Sequence, residues 1–464
     1  MPLPADLLAA ISSPGGGRVA LVIGAGCSFE APTGLPLSRT VSCEINRLLV
    51  QDGVLVDGDC ADPDDLSLVT DAVFAKTHSQ EDVVRRFLDR YDLKLATPNH
   101  GYRIAAALLY EGAISSVVTL NFDLALSTAL GELGAGATVG VVEGPQDLPH
   151  QRTVNVYYLH RNANAADPEL WVLRTATLET QWRDHWEGII ANRVLAAPVV
   201  VFAGLGTPVA VLVESTRLLR NALPGTTSLF HVDPGNREDS RFSVELEIDA
   251  AKYIQCGWGD LMDQLSRRVA IEQAAQVRAA VTHKVHDDGI QDEDVTGLLD
   301  RLQSLGLVKL GKLRSHWLLH NKPYCPVETD APPIMADFLL ALGMITRLSG
   351  TTAMIADDGI VEFLRDERIV GVYLIASGRG HRTRAGIEAR IGQNRFEHQG
   401  RAAAPSGVLI GGTSDGWGAS PTPPRDIVNG DDRGVDLVEG PMATPCIHIG
   451  ELRGNQDLIR ELVP

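Results

Sequence analysis

Residues 18–23, Arg-Val-Ala-Leu-Val-Ile, form a short β-branched apolar run that stops at Gly24 and opens into Gly24-Ala25-Gly26-Cys27-Ser28. An apolar run without polar alternation reads as a strand buried on both faces, the condition of a parallel sheet. The pattern recurs: 116–120, 154–159, 198–203 and 228–232 read as further strands. Helical patterns lie between them, at about 36–50, 80–92, 97–112, 123–130, 179–195 and 208–223, with a last long helix from about Trp258 into the 280s. Ser79 is a candidate N-cap for the second, and the third starts at Thr97-Pro98 and ends before Gly112. Strands alternating with helices of about 10–15 residues predict an α/β fold with a Rossmann-like, doubly wound parallel sheet. Such sheets bind ligands in the crevice at the C-terminal ends of their strands.

Composition narrows the classes. The 464 residues leave ample length for two or three domains, and 44% hydrophobic with 22% charged residues is an ordinary globular balance. No apolar run approaches the ~20 residues of a spanning helix, so no membrane partner is expected. The first residues carry no basic segment followed by an apolar stretch, as a secretion signal would. With 41 Lys and Arg against 59 Asp and Glu, the net charge of −18 disfavours broad contact with nucleic acid or anionic lipid. The six cysteines are scattered without a C-x-x-C pair, which predicts a reduced, cytoplasmic protein without a cysteine-rich zinc site.

The texture changes after about residue 285. The expected domains are 1–284, a winged-helix-like unit at 285–330 that reads helix, Gly, helix over 292–317 with a candidate β-wing in 298–310, and a separate α+β or α/β C-terminal region at 331–464. Within that region 369–377 is a strong buried-strand signal, followed by 408–411 and a weaker 446–449. A Gly/Pro-rich loop fills 412–441. Between Arg379 and Arg401 six arginines face only Glu388 and Glu397, a local anion-binding candidate for a nucleotide signal, nucleic acid or acidic partner, or else a solvated arginine-rich face.

Four segments at predicted strand ends carry polar groups that chemistry could use. Gly24-Ala25-Gly26 lets a backbone turn approach a pyrophosphate, although Phe29 stands where a dinucleotide fingerprint needs its third glycine. Thr119-Leu120-Asn121-Phe122-Asp123 offers an amide and a carboxylate to a water or a sugar hydroxyl. His160 ends the 154–159 strand and suits a general base near neutrality. Ala203-Gly204-Leu205-Gly206-Thr207 repeats the glycine turn of the first segment. Each has a plainer reading: a tight strand-to-helix turn, a helix cap at Asn121 or Asp123, a structural histidine.

Taken in order, Gly24–Ser28 with Thr33-Gly34-Leu35-Pro36 behind it, Thr119–Asp123, Leu159-His160, Ala203–Thr207 and His231-Val232-Asp233 resemble the sirtuin-like (silent-information-regulator-like) superfamily over about residues 15–270. The segment Ala251–Leu265, with Trp258, looks like the end of such domains in the bacterial anti-phage branch. The resemblance implies a domain that binds NAD as substrate and cleaves the nicotinamide–ribose bond. Asn121 would position the ribose or attacking water, His160 would act as base, and Asp123 would hold the nicotinamide ribose. Gly24, Ala25, Gly26 and Ser28 would line phosphates and ribose, Gly204 and Thr207 the far side, and Asp233 the adenosine end. The family histidine is usually followed by glycine. Here it is Arg161, which leaves three alternatives: another loop path, a phosphate contact, or an impaired site.

Sirtuin deacetylases carry a four-cysteine zinc ribbon beside the peptide cleft, and no cysteine lies between Cys60 and Cys256. Water is then the simpler acceptor, and the expected activity is an NAD nucleosidase that depletes NAD in antiviral defence, without zinc or other metal. The alternatives are a silent NAD- or ADP-ribose-binding regulator and an ADP-ribosyltransferase. A homo-oligomer is expected. An activating partner would be an ATPase, an argonaute-like protein, a phage protein, or a nucleotide signal at Arg379–Arg401.

Overall fold

Seven parallel strands form the N-terminal sheet: β1 (Val19–Ile23), β2 (Ile114–Thr119), β3 (Val139–Val142), β4 (Val154–Tyr158), β5 (Val199–Ala203), β6 (Ser228–Val232) and β7 (Tyr253–Ile254). The computed structural model describes residues 3–13, 16–206, 209–288, 292–318, 331–356, 359–377, 405–411, 445–452 and 455–463. Strand order is β3-β4-β2-β1-β5-β6-β7. All five residues of β1 are buried, as are those of β4 and β5, because helices cover both faces. The first strand is central, and the chain leaves it for β2 on one side and returns to β5 on the other. The β1 and β5 ends therefore flank the point where strand order reverses, which opens a crevice beyond the sheet edge.

The helices of this part are α1 (Ala5–Ile11), α2 (Gly26–Phe29), α3 (Ser38–Gln51), α4 (Leu66–Thr77), α5 (Glu81–Arg90), α6 (His100–Tyr110), α7 (Ala125–Leu133), α8 (Thr175–Asp184), α9 (Trp186–Leu195), α10 (Ala210–Ala222), α11 (Arg241–Glu245) and α12 (Trp258–Asp288). The predicted helix 179–195 is two helices. His185 is extended between them, and the Trp182 carbonyl oxygen occupies the place where a Cβ on residue 188 would stand, so the tight bend requires Gly188. Helix α6 starts at His100 rather than Thr97, because the Asn99 side chain accepts from the Tyr102 N–H and caps it. The Ser79 hydroxyl accepts from the Glu81 N–H at the start of α5, from one residue ahead of the N-cap position.

The chain divides into two units, residues 1–268 and 269–464, with the boundary inside α12 rather than near residue 284. In the second unit α13 (Asp292–Ser304), α14 (Gly306–Leu318) and α15 (Ala331–Ser349) pack with a five-stranded sheet. Its strands β8 (Thr352–Ile355), β9 (Val361–Arg365), β10 (Arg368–Ser377), β11 (Gly407–Gly411) and β12 (Cys446–His448) run in the order β12-β11-β10-β9-β8. Strands β8, β9 and β10 pair antiparallel, and β10, β11 and β12 pair parallel. This bears out a separate α-and-β C-terminal region. The expected β-wing is corrected: 298–304 belongs to α13 and 306–310 opens α14, where Leu307, Leu310, Leu313 and Trp317 are buried at helical spacing. Residues 319–330, the arginine-rich segment 379–401 and the loop 412–441 lie outside the described residues.

Candidate functional site

The turns after β1 and β5 are packed against one another. Gly24 N–H continues the ladder to Ala203 O at 3.0 Å, and Gly26 N–H donates to Gly204 O at 3.0 Å. A Cβ on Gly26 would lie 2.7 Å from Gly204 Cα, and one on Gly204 would lie 2.5 Å from Cys27 N. Gly204 also sits at φ +66°, in the left-handed region. The two glycine turns thus need their glycines for mutual close approach, before any ligand is considered.

A cavity of about 340 Å³ opens at this edge. Gly24, Ala25 and Ser28 line it from β1, Asn121 and Asp123 from β2, His160 from β4, and Gly204 from β5. Helices α3, α4, α5 and α8 and the segment before α8 close the other side, with Phe87, Leu173 and Leu178 among the apolar groups. Seven of the ten site residues read from sequence are therefore brought together. Gly26 is spent on the turn, and Asp233 turns instead to Gly235 N–H at 2.7 Å and does not line the cavity. Thr207 lies outside the described residues. The charged groups on the described wall are acidic, Asp64, Asp65, Asp123 and Glu179, with no lysine or arginine among them.

Asn121, Ser28, Asp123 and a residue the sequence reading missed, Tyr102, form one buried network. Asn121 Nδ2 donates towards Gly24 O at 3.0 Å, Tyr102 OH at 3.0 Å and Ser28 Oγ at 3.1 Å. Ser28 Oγ donates to Asp123 Oδ2 at 2.7 Å and lies 2.7 Å from Tyr102 OH. Because the Ser28 proton goes to the carboxylate, the Tyr102 proton points to Ser28, and the chain runs from amide to phenol to hydroxyl to carboxylate. Both amide hydrogens of Asn121 are consumed, so its oxygen is the end left for a ligand hydroxyl or a water. Asp123 also caps α7 through Ala125 N–H at 3.0 Å. Burial pushes the Asp123 carboxyl above its ordinary value, opposed by the Ser28 and backbone hydrogen bonds. Trp258 backs Tyr102 edge-on, over Gly101, where a Cβ would run into the indole. Tyr102 carries no motif; only its place on the buried face of α6 could have flagged it.

His160 is 7% exposed, with Phe122 and Trp182 around its ring. Its Nε2 is buried without a hydrogen-bond partner among the described residues. Burial, reinforced by the neighbouring Arg161 charge, lowers its pKa to about 4, so the imidazole is neutral at ordinary pH. Of the three alternatives for Arg161, the geometry bears on the phosphate contact: Arg161 does not line the cavity. Its φ is +69°, the region where glycine is at ease, and an arginine there costs about 1–2 kcal/mol. Its side chain turns to the fully buried Glu187 at 2.9 Å and stacks over Trp186.

No family model matches the chain, and no curated protein matches it. Among similar solved structures, a mutant Sir2 homologue in complex with ADP-ribose has 17% identity and a TM-score of 0.36, covering 57% of this chain and 96% of that one. A Sir2 homologue–NAD complex has 18% identity and a TM-score of 0.34 over 57% and 93%. A Sir2–p53 peptide–NAD+ complex has 14% identity and a TM-score of 0.33 over 57% and 98%.

Proposed function

We propose that the N-terminal unit binds NAD across the C-terminal edge of its sheet and hydrolyses the nicotinamide–ribose bond. The supporting observation is that Asn121, Asp123 and His160, from the ends of two different strands, line one cavity together with both glycine turns. The pyrophosphate would lie against backbone N–H groups at the turns, since the described wall offers no cationic side chain. The reaction is NAD+ plus water giving nicotinamide, ADP-ribose and a proton. The cationic nicotinamide leaves with the electron pair of the C–N bond and needs little acid help. The developing oxocarbenium carbon needs an oriented water and a weak base. Asn121 Oδ1 holds the water or a ribose hydroxyl, and neutral His160 takes the proton directly or through that hydroxyl. Asp123 acts through Ser28, fixing the network. We further propose that the activity depletes NAD in antiviral defence, in a cytoplasmic homo-oligomer, under a partner protein or nucleotide signal acting on the C-terminal unit.

The test is to incubate the purified chain with NAD, with and without infected-cell extract, and follow nicotinamide and ADP-ribose by chromatography. Free ADP-ribose that is lost in Asn121→Ala and His160→Ala supports hydrolysis. Binding without turnover under every trigger would replace this reading with that of a regulator, and label on macromolecules with that of a transferase.

A further inference from the structure

Arg161 and Glu187 have no part in the chemistry just described, yet among the described residues they form the most completely buried ion pair of the N-terminal unit, with side-chain exposures of 12% and 0%. They join two walls of the cavity. On one side is the turn that carries His160, strapped by Arg161 N–H to Tyr158 O at 3.2 Å, Val172 N–H to His160 O at 3.2 Å and Ala163 N–H to Phe122 O at 2.8 Å. The left-handed backbone at 161 sends successive side chains apart, His160 to the cavity and Arg161 to α9. On the other side is the α8–α9 hairpin, whose Thr175, Leu178 and Glu179 line the cavity. Glu187 binds both of its helices: it belongs to α9, and the Gln181 amide of α8, with its nitrogen toward the carboxylate, donates to both oxygens at 3.1 and 3.2 Å. Trp186 lies under the guanidinium, and Trp182 meets the His160 ring edge-on.

Removing Arg161 leaves the Glu187 carboxyl buried without its countercharge, which is destabilising whether the group stays ionised or takes up a proton, and it removes the link between the His160 turn and the hairpin. We propose that Arg161 and Glu187 are a positioning pair, which locks the α8–α9 wall to the His160 turn so that base and substrate wall move as one body. Its effect on catalysis rests on the NAD-hydrolysis reading; the mechanical coupling does not.

The variants are Arg161→Gly, which relaxes the backbone and removes only the side chain, and the charge swap Arg161→Glu with Glu187→Arg. Two readouts are taken on the full chain. In amide hydrogen exchange, Arg161→Gly is expected to speed exchange at least ~10-fold in both 159–163 and 175–184, and the swap to restore most of the protection. In NAD hydrolysis, Arg161→Gly is expected to lower kcat on the order of 100-fold and raise KM, with partial recovery in the swap. Unchanged exchange in 175–184 overturns the pair, whatever the kinetics. If the wild-type chain neither binds nor cleaves NAD, the function reading fails while the exchange result still decides the coupling. A wild type that turns over NAD beside an equally active Arg161→Gly removes the positioning role alone.

Discussion

Gly204→Ala is the substitution whose cost the structure fixes most closely. Residue 204 sits at φ +66°, where an alanine costs about 1–2 kcal/mol relative to glycine. Its Cβ would stand 2.5 Å from Cys27 N and 2.9 Å from Gly24 O, both backbone atoms that no rotamer change can move. Overpacking of this kind adds about 1–3 kcal/mol, for a total of about 2–5 kcal/mol. At about 2–4 °C per kcal/mol for a unit of this size, scanning calorimetry should show its transition about 4–20 °C lower. Gly206→Ala is the matched control. It is on the same turn and lines the same cavity, but its Cβ would meet nothing within 4 Å. It should shift the midpoint by no more than ~1–2 °C. If the two variants melt together, the back-to-back turns do not exist as described.

Tyr102→Phe deletes one hydroxyl from the Asn121–Ser28–Asp123 network and leaves Ser28 with the Asn121 amide as its remaining donor; we expect about 1–2 kcal/mol of destabilisation and a kcat loss larger than any change in KM. His160 and His231 are both held near pKa 4 against an ordinary 6.5, chiefly by burial. Their folded values lie below their unfolded ones, so the stability they contribute is complete above about pH 6.5 and is lost as pH falls towards 4. This amounts to on the order of 3 kcal/mol each, and urea midpoints measured across that window should fall with a slope that His231→Gln reduces. The same depressed value places the acid limb of kcat/KM near pH 4; a limb at 6.5 would mean that His160 is solvated in the free enzyme. Gly101→Ala should destabilise the first unit by about 2 kcal/mol or more, measured by calorimetry, because its methyl would enter the Trp258 indole.

The sheet was legible wherever a strand is buried on both faces. The runs at 19–23 and 199–203 advertise themselves by unbroken apolar residues, and 154–158 by valines and tyrosines around Asn155. The four-residue β3 and two-residue β7 are too short to leave a pattern, and register with a neighbour makes them strands. The hairpin from β9 to β10 turns on Asp366 and Glu367, both at positive φ, which lack the Asn-Gly pairing that usually marks such a turn. Asn121, Asp123 and His160 were legible because they follow strands. Tyr102 was not, since its helix reaches the site through contacts distant in sequence, the Asn99 amide on Cys27 O and Tyr102 against Trp258. The meaning of Arg161 was also hidden, because neither its backbone angle nor its partner 26 residues away is written in the local sequence.

The most direct test of the account is a crystal structure of the Asn121→Ala variant with intact NAD. The account predicts the anomeric carbon of the nicotinamide ribose in the cavity beside residue 121, within about 4 Å of the His160 imidazole or one water away from it, and the pyrophosphate against Gly24, Ala25 and Gly204. Density for NAD elsewhere on the chain, or a ribose facing away from His160, would contradict it.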